Sequence, residues 1–352
     1  MFGKISAYAL IAMSLFFAWN FYSKRISNRY SIFISLIIMF FLICFVTFRE
    51  ATLNGDYEAY FQYFQFPNSY FEEAEESFFN ICSIVKSVSG SFSLLLFIYA
   101  LLGISLKYIA IKKYSTNFLY SFCVWISFSF LLQDMIQIRV AVASGLMLWV
   151  IPLICQGKRG IAFVLIAIAV YFHNSAIVMF LFFFLNRETI RPQLWISIYL
   201  ILFIVNILNI NMYGYIVQIF NILPNSIGNR IGSFDPDILG SFERMTLYSR
   251  YILIPTVITF VSLYQRSKLQ RICPYAILCI KLCFIAIYVY SLSIPIFSVR
   301  ICELLLIPLI YLLPLCLYWY NGTYAQLLGK STASLCCLAI AWNLLFKQGI
   351  FG

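Results

Sequence analysis

The stretch QDMIQIRVAVA, residues 133–143, sets a carboxylate, Asp134, and a guanidinium, Arg139, at the head of an otherwise apolar run. Five residues turn about 140° on a helix, so the two do not neutralise each other as a pair four apart would. Each needs a partner elsewhere. An unpaired charge at membrane depth costs roughly 2.5–3.5 kcal/mol on insertion scales, which makes it a functional candidate; the plainer alternative is that Arg139 snorkels to headgroups. A guanidinium also binds phosphate through paired hydrogen bonds. Arg300 and Glu303, in FSVRICELLL, repeat the arrangement at a later apolar run, and Arg49 closes an earlier one. Three such arginines would suit a phosphate-rich ligand. The single histidine, His173, stands in YFHNSA beside Asn174 and Ser175. A lone histidine is more often structural, yet its pKa suits proton transfer near neutrality.

Two polar stretches could add to such a site. FREATLNGDYEAYFQYF, from 48 to 64, puts Tyr57, Tyr60, Phe61, Tyr63 and Phe64 beside Arg49 and Asp56. Aromatic faces next to carboxylates can stack on and hydrogen-bond a sugar, or else form an interfacial aromatic belt. FEEAEESFF, 71–79, fits a helix lying on the membrane surface with its four glutamates outward. The second stretch holds Arg230, Asp235, Asp237, Glu243, Arg244 and Arg250. Its Asp-Pro-Asp spells a DxD that could hold a divalent ion, but the same triplet is ordinary turn chemistry, and no metal is expected.

These residues must be positioned by membrane helices. The 352 residues are 63% hydrophobic and only 11% charged, with a mean hydropathy of +0.91; water-soluble domains carry about a quarter charged residues. The expected fold class is an all-α polytopic membrane protein forming a single integral domain over 1–352, with about 11–12 transmembrane helices. Spans are predicted near 4–21, 31–48, 91–106, 118–133, 137–155, 193–210, 248–264, 273–292, 301–319 and 332–346. Lys4 precedes a long apolar run without a small-residue cleavage pattern, so the first span is read as retained. Within the fifth predicted span, Ala141 and Gly145 would let another backbone come close. Ten of the 11 cysteines lie in spans without a CxxC pair and read as small apolar fillers.

Residues 160–186 can be one long span, or two short helices, 161–172 and 175–186, folded back at YFHNSA. The positive-inside rule prefers the hairpin. With it, Lys24, Arg25, Arg29, Lys107, Lys112, Lys113, Lys158, Arg159, Arg187, Arg191, Arg266, Lys268, Arg271 and Lys330 share the inner face, and QRSKLQR at 265–271 is not stranded outside. Every carboxylate but Glu188 then falls on or near the outer side, with two larger outer loops at 49–90 and 211–247. Lys281 alone sits inside a span. The net charge of +11 is thus spread in short clusters between spans, which argues against a nucleic-acid binder.

In chain order, FREATLNGDYEAY at 48–60, EESF, a loose ExxF, at 75–78, QDMIQIRVAVA, the GK at 157–158, YFHNSA at 171–176 and FSVR at 297–300 resemble the EpsG-like family of polysaccharide polymerases. That family belongs with the Wzy-type O-antigen and capsule repeat-unit polymerases. The resemblance covers roughly residues 49–300, and QIRVAVA followed by FHNSA is its most specific part. It implies a membrane glycosyltransferase acting on undecaprenyl-diphosphate-linked oligosaccharides at the periplasmic face of a bacterial inner membrane, without metal or cofactor. A flippase and a chain-length regulator in the same membrane would be its partners. Arg139, Arg300, Arg244, Arg250 and Arg49 would hold the diphosphate, and His173 or Asp56 would take the proton. Tyr57, Tyr60, Asp134 and Glu303 would contact sugar. An O-antigen ligase shares the donor and differs in acceptor; a lipid-linked oligosaccharide flippase needs a cavity reached from both sides; a membrane O-acyltransferase needs an acyl tunnel.

Overall fold

A computed structural model describes residues 28–49, 55–70, 74–208, 210, 246–292 and 297–347, with residues 8, 11–12, 14–16 and 18–19 of an amino-terminal helical stretch. All regular structure among them is helical. The protein is an all-α polytopic membrane protein. Four helical stretches are long and apolar enough to cross a bilayer, Phe92–Tyr114, Ile138–Cys155, Ser298–Tyr318 and Ala325–Phe346, and shorter apolar helices fill the bundle between them. Several of these are apolar all round, as helices buried against others and against lipid are.

The helices are joined at their closest approach by small residues. A Cβ on Gly145 would lie 2.9 Å from that of Leu106, and one on Gly103 would lie 3.1 Å from both the Ala141 Cβ and Asp134 Oδ1. Helices Phe92–Tyr114 and Ile138–Cys155 therefore pack backbone to backbone, as small residues allow in membranes. The space this leaves is filled by a buried ion pair. Lys107 Nζ donates to Asp134 Oδ2 at 2.7 Å, with neither side chain exposed at all, and Trp125 Nε1 donates to the same oxygen at 3.1 Å. Asp134 ends a π-helical segment, Ile126–Asp134, that continues helix Phe118–Trp125. π-helical turns are uncommon and recur at functional positions. Lys107 is thus not one of the basic-face cations, as its sequence position suggested; it is consumed in the interior because Asp134 needs a counter-charge there.

Residues 159–183 form the hairpin. Helix Arg159–Phe172 stops at His173, which is extended (φ −157°, ψ 118°), and a 3-10 helix, Asn174–Phe183, runs back. Fourteen α-residues span about 21 Å and ten 3-10 residues about 20 Å, so the tighter helix matches the other leg with fewer residues. The rings of Phe163 and Phe180 meet at 5.5 Å across the hairpin. At its open end Arg187 donates to the Ile154 carbonyl, which returns the chain to the face it left. Gln270 Nε2 donates to the Glu188 carbonyl at 2.9 Å and Lys268 Nζ to Asn321 Oδ1 at 2.8 Å. The basic groups of 158–159, 187–191 and 266–271 consequently share one face, which a single long span would have divided.

Removing one partner of a buried ion pair strands the other, at a cost of about 3–5 kcal/mol, whereas well-packed apolar replacements can be neutral. Asp134→Ala is expected to lower the thermal stability of the detergent-solubilised protein sharply, and the double substitution Lys107→Met, Asp134→Leu to recover most of the loss. Equal loss in single and double variants would contradict the pairing.

Candidate active site

On the face opposite the basic one, the chain between the spans folds into two helices. Gly55–Gln65 begins with Asp56 and Glu58 in its first turn, where carboxylates favour the helix amino terminus. Its aromatic residues divide by helical spacing into two stripes. Tyr57, Phe61 and Phe64 pack on Phe92 with centroids 5.3, 5.4 and 5.6 Å away. Asp56, Ala59, Tyr60 and Tyr63 instead line a cleft with Gln137, Arg139, Val140, His173 and Arg300. The second helix, Glu76–Val88, buries Phe78 against Tyr60 and Tyr99, at 5.6 and 6.1 Å. Asn80 Nδ2 fastens it to the hairpin tip through Tyr171 Oη at 2.6 Å.

Glu75 lies before this helix in extended conformation and is buried. It is not one of four outward glutamates on a surface helix, as the FEEAEESFF pattern suggested. One of its oxygens pairs with Arg139 Nη1. The other accepts from the Asn174 amide at 3.0 Å and stands 2.9 Å from His173 Nδ1. The imidazole contact is not aligned as a hydrogen bond, so neither ring nitrogen has a directed partner among the described residues. Burial works against ionisation of Glu75, but the His173 imidazole, the Arg139 charge and the Asn174 amide outweigh it and hold the carboxyl down to about 2. The sequence assigned Glu75 no role; its only trace was the EESF of residues 75–78.

Arg139 is held a second way, its Cζ lying 5.3 Å from the Tyr60 ring centre and 5.9 Å from that of Phe78, a cation–π cradle. Arg300, in helix Phe297–Leu305, is exposed at the cleft. Gln137 is set by Glu303, one turn beyond Arg300, whose Oε2 accepts from Gln137 Nε2 at 3.2 Å. Glu303 itself is buried behind the cleft. Arg49 is also buried: one nitrogen donates to the Met135 carbonyl, its Cζ sits 5.6 Å from the Tyr57 ring, and Nε and Nη2 have no hydrogen-bond partner among the described residues. Burial lowers its pKa to about 10, with Tyr60, Tyr57 and Asp56 opposing.

Of the residues expected to form a site, the fold therefore brings Asp56, Tyr60, Arg139, His173 and Arg300 to one cleft. Tyr57 is turned to Phe92 and Arg49, Glu303 acts through Gln137, and Asp134 is enclosed with Lys107. Arg250, exposed at the start of helix Arg250–Tyr264, does not line the cleft. Arg244 and the Asp235–Asp237 pair lie outside the described residues. The cleft encloses about 80 Å³, room for a small anion with a few waters and not for a whole sugar chain. Chemically it offers two guanidinium groups, a carboxylate and an imidazole. A carboxylate beside Nδ1 favours the tautomer protonated there, leaving Nε2 to accept a proton.

The sequence model defining the EpsG family matches residues 31–351, nearly the whole chain. Neither a curated protein nor a solved structure matches it.

A carboxyl whose folded pKa is depressed from 4.5 to about 2 contributes stability that is complete above pH 4.5 and lost as pH falls to about 2. The shift corresponds to about 3 kcal/mol. Acid-unfolding curves of the wild type and Glu75→Gln are expected to differ most near neutrality and to converge below pH 4.5; a constant difference down to pH 2 would mean that Glu75 acts without its charge.

Proposed function

We propose, from the premise that this chain belongs to the EpsG family, a family of Wzy-like polymerases, that it joins undecaprenyl-diphosphate-linked oligosaccharide repeat units into O-antigen or capsular polysaccharide. The observation that carries this reading is the gathering of Arg139, Arg300, His173 and Asp56 at one cleft on the face away from the basic clusters. By the positive-inside rule that face is the outer one, and with a lipid-carried donor it is, on this reading, the periplasmic side of a bacterial inner membrane.

The donor is the growing chain on its lipid diphosphate, and the acceptor is the distal sugar of an arriving lipid-linked unit. An acceptor hydroxyl oxygen attacks the anomeric carbon of the donor as the bond to the diphosphate oxygen breaks, inverting that centre. The hydroxyl proton passes to His173 Nε2, with Asp56 the alternative base. Negative charge growing on the departing diphosphate is met by Arg139 and Arg300, groups already oriented before reaction, and such preorganised charge is where most catalytic stabilisation arises. These guanidinium groups supply the neutralisation a metal ion would otherwise give. Arg244 and Arg250 are a second set for the carrier, whereas Arg49 is buried against the Met135 carbonyl and the Tyr60 ring is taken up by Arg139 and Phe78. Glu75 fixes His173 and Arg139 relative to each other. A flippase delivering units and a chain-length regulator are the partners such a reaction calls for.

Losing one preorganised donor typically costs 10²–10³-fold in rate. In cells deleted for this gene and complemented at matched membrane levels, surface glycolipids on a gel are expected to show a long ladder with the wild type. A single repeat unit is expected with Arg139→Ala, His173→Ala or Arg300→Ala. Arg300 is exposed, so its variant separates lost chemistry from lost folding. Deletion leaving no repeat unit on the lipid core would favour a ligase or flippase, and an unchanged ladder would refute all three.

A further inference from the structure

At the basic face a second cavity, of about 240 Å³, opens where helix Ile138–Cys155 ends beside the returning leg of the hairpin. Its wall is Ile154, Phe182, Phe183 and Leu185, and its polar lining includes Arg159, Arg187 and Glu188. Arg187 donates to the Ile154 carbonyl. Lys281, buried in helix Ala276–Ser291, donates to the carbonyl of Asn186, which also lines the cavity. The ion pairs among the described residues are Lys107–Asp134, Arg139–Glu75 and His173–Glu75, so none of these three cations has a carboxylate against it. The one acid nearby, Glu188, is exposed.

Arg159 and Arg187 at one cavity, with no carboxylate in ion-pair contact, can hold an anion between them. The surroundings say which kind. Leu181 and Phe184, on the same leg as the wall, are 43% and 85% exposed and face outward from the bundle, where acyl chains would lie. We infer that this cavity binds the headgroup phosphate of an anionic glycerophospholipid from the leaflet at the basic face. The phosphate lies between Arg159 and Arg187, which offer paired donors, and the first methylenes of an acyl chain run along the exposed Leu181 and Phe184. Free phosphate would satisfy the arginines and leave Leu181 and Phe184 uncovered. Basic pockets between helices at this level are suited to such headgroups. The site is independent of the reaction proposed above.

The full-length protein, purified in detergent, is heated with phosphatidylglycerol, phosphatidylcholine or inorganic phosphate. Phosphatidylglycerol is expected to raise the Tm by about 2–4 °C, the other two not. Arg159→Gln changes an exposed side chain, so its basal Tm should hold while most of the lipid-induced rise disappears. An equal rise with phosphatidylcholine or with phosphate overturns the assignment, as does a full rise retained in both Arg159→Gln and Arg187→Lys.

Discussion

The carboxylate of Glu75 sits where three separate parts of the chain meet, and each brings to it a polar group that would otherwise be buried without an answer. Arg139 comes from the start of one spanning helix, His173 and the Asn174 amide from the tip of the hairpin, and Glu75 itself from the segment between the first spans. A buried guanidinium or carboxylate alone is several kcal/mol too costly to keep, so the three elements are obliged to assemble together. The aromatic layer of Tyr60, Phe78 and Tyr99 closes over this knot and lowers the local dielectric, which strengthens the same interactions. The cleft exists because these elements are pinned at one point and leave a gap toward Arg300.

Charge is handled in depth-dependent layers. At the basic face cations sit at water or against carbonyls. In the middle, Asp134 and Lys107 cancel each other with Trp125 as a further donor. Toward the other face, Arg139, Glu75 and His173 are paired but remain at the edge of the cleft, the arginine side chain 13% exposed. This gradation separates groups that hold the bundle from groups able to meet a ligand. Asp134 and Arg139, five residues apart, fall on opposite sides of that division because the chain turns between the π-helical segment and the next helix.

The hairpin serves both ends of the molecule. Its tip carries His173 to Glu75, and its base carries Arg187 to Ile154. A full span through 160–186 would have removed His173 from any contact with the helix of Arg139.

The sequence by itself determined the class of protein, the approximate spans, the hairpin and most of the cleft. Apolar runs of bilayer length and the distribution of lysine and arginine are local or one-dimensional signals, and isolated charges in such runs stand out against them. Arg139 and Arg300 were visible in that way, His173 as the single histidine, and Asp56 and Tyr60 as part of an aromatic and acidic stretch between spans. Only the tertiary structure decided their partners. Glu75 reads as one of several acids in FEEAEESFF, Lys107 as one of three basic residues near a span end, and Tyr57 as equivalent to Tyr60 three positions on. Which of them is buried depends on the rotation and depth of neighbouring helices, set by contacts such as Gly103 with Ala141 and Phe92 with Tyr57, and no periodicity along one segment encodes what packs against it.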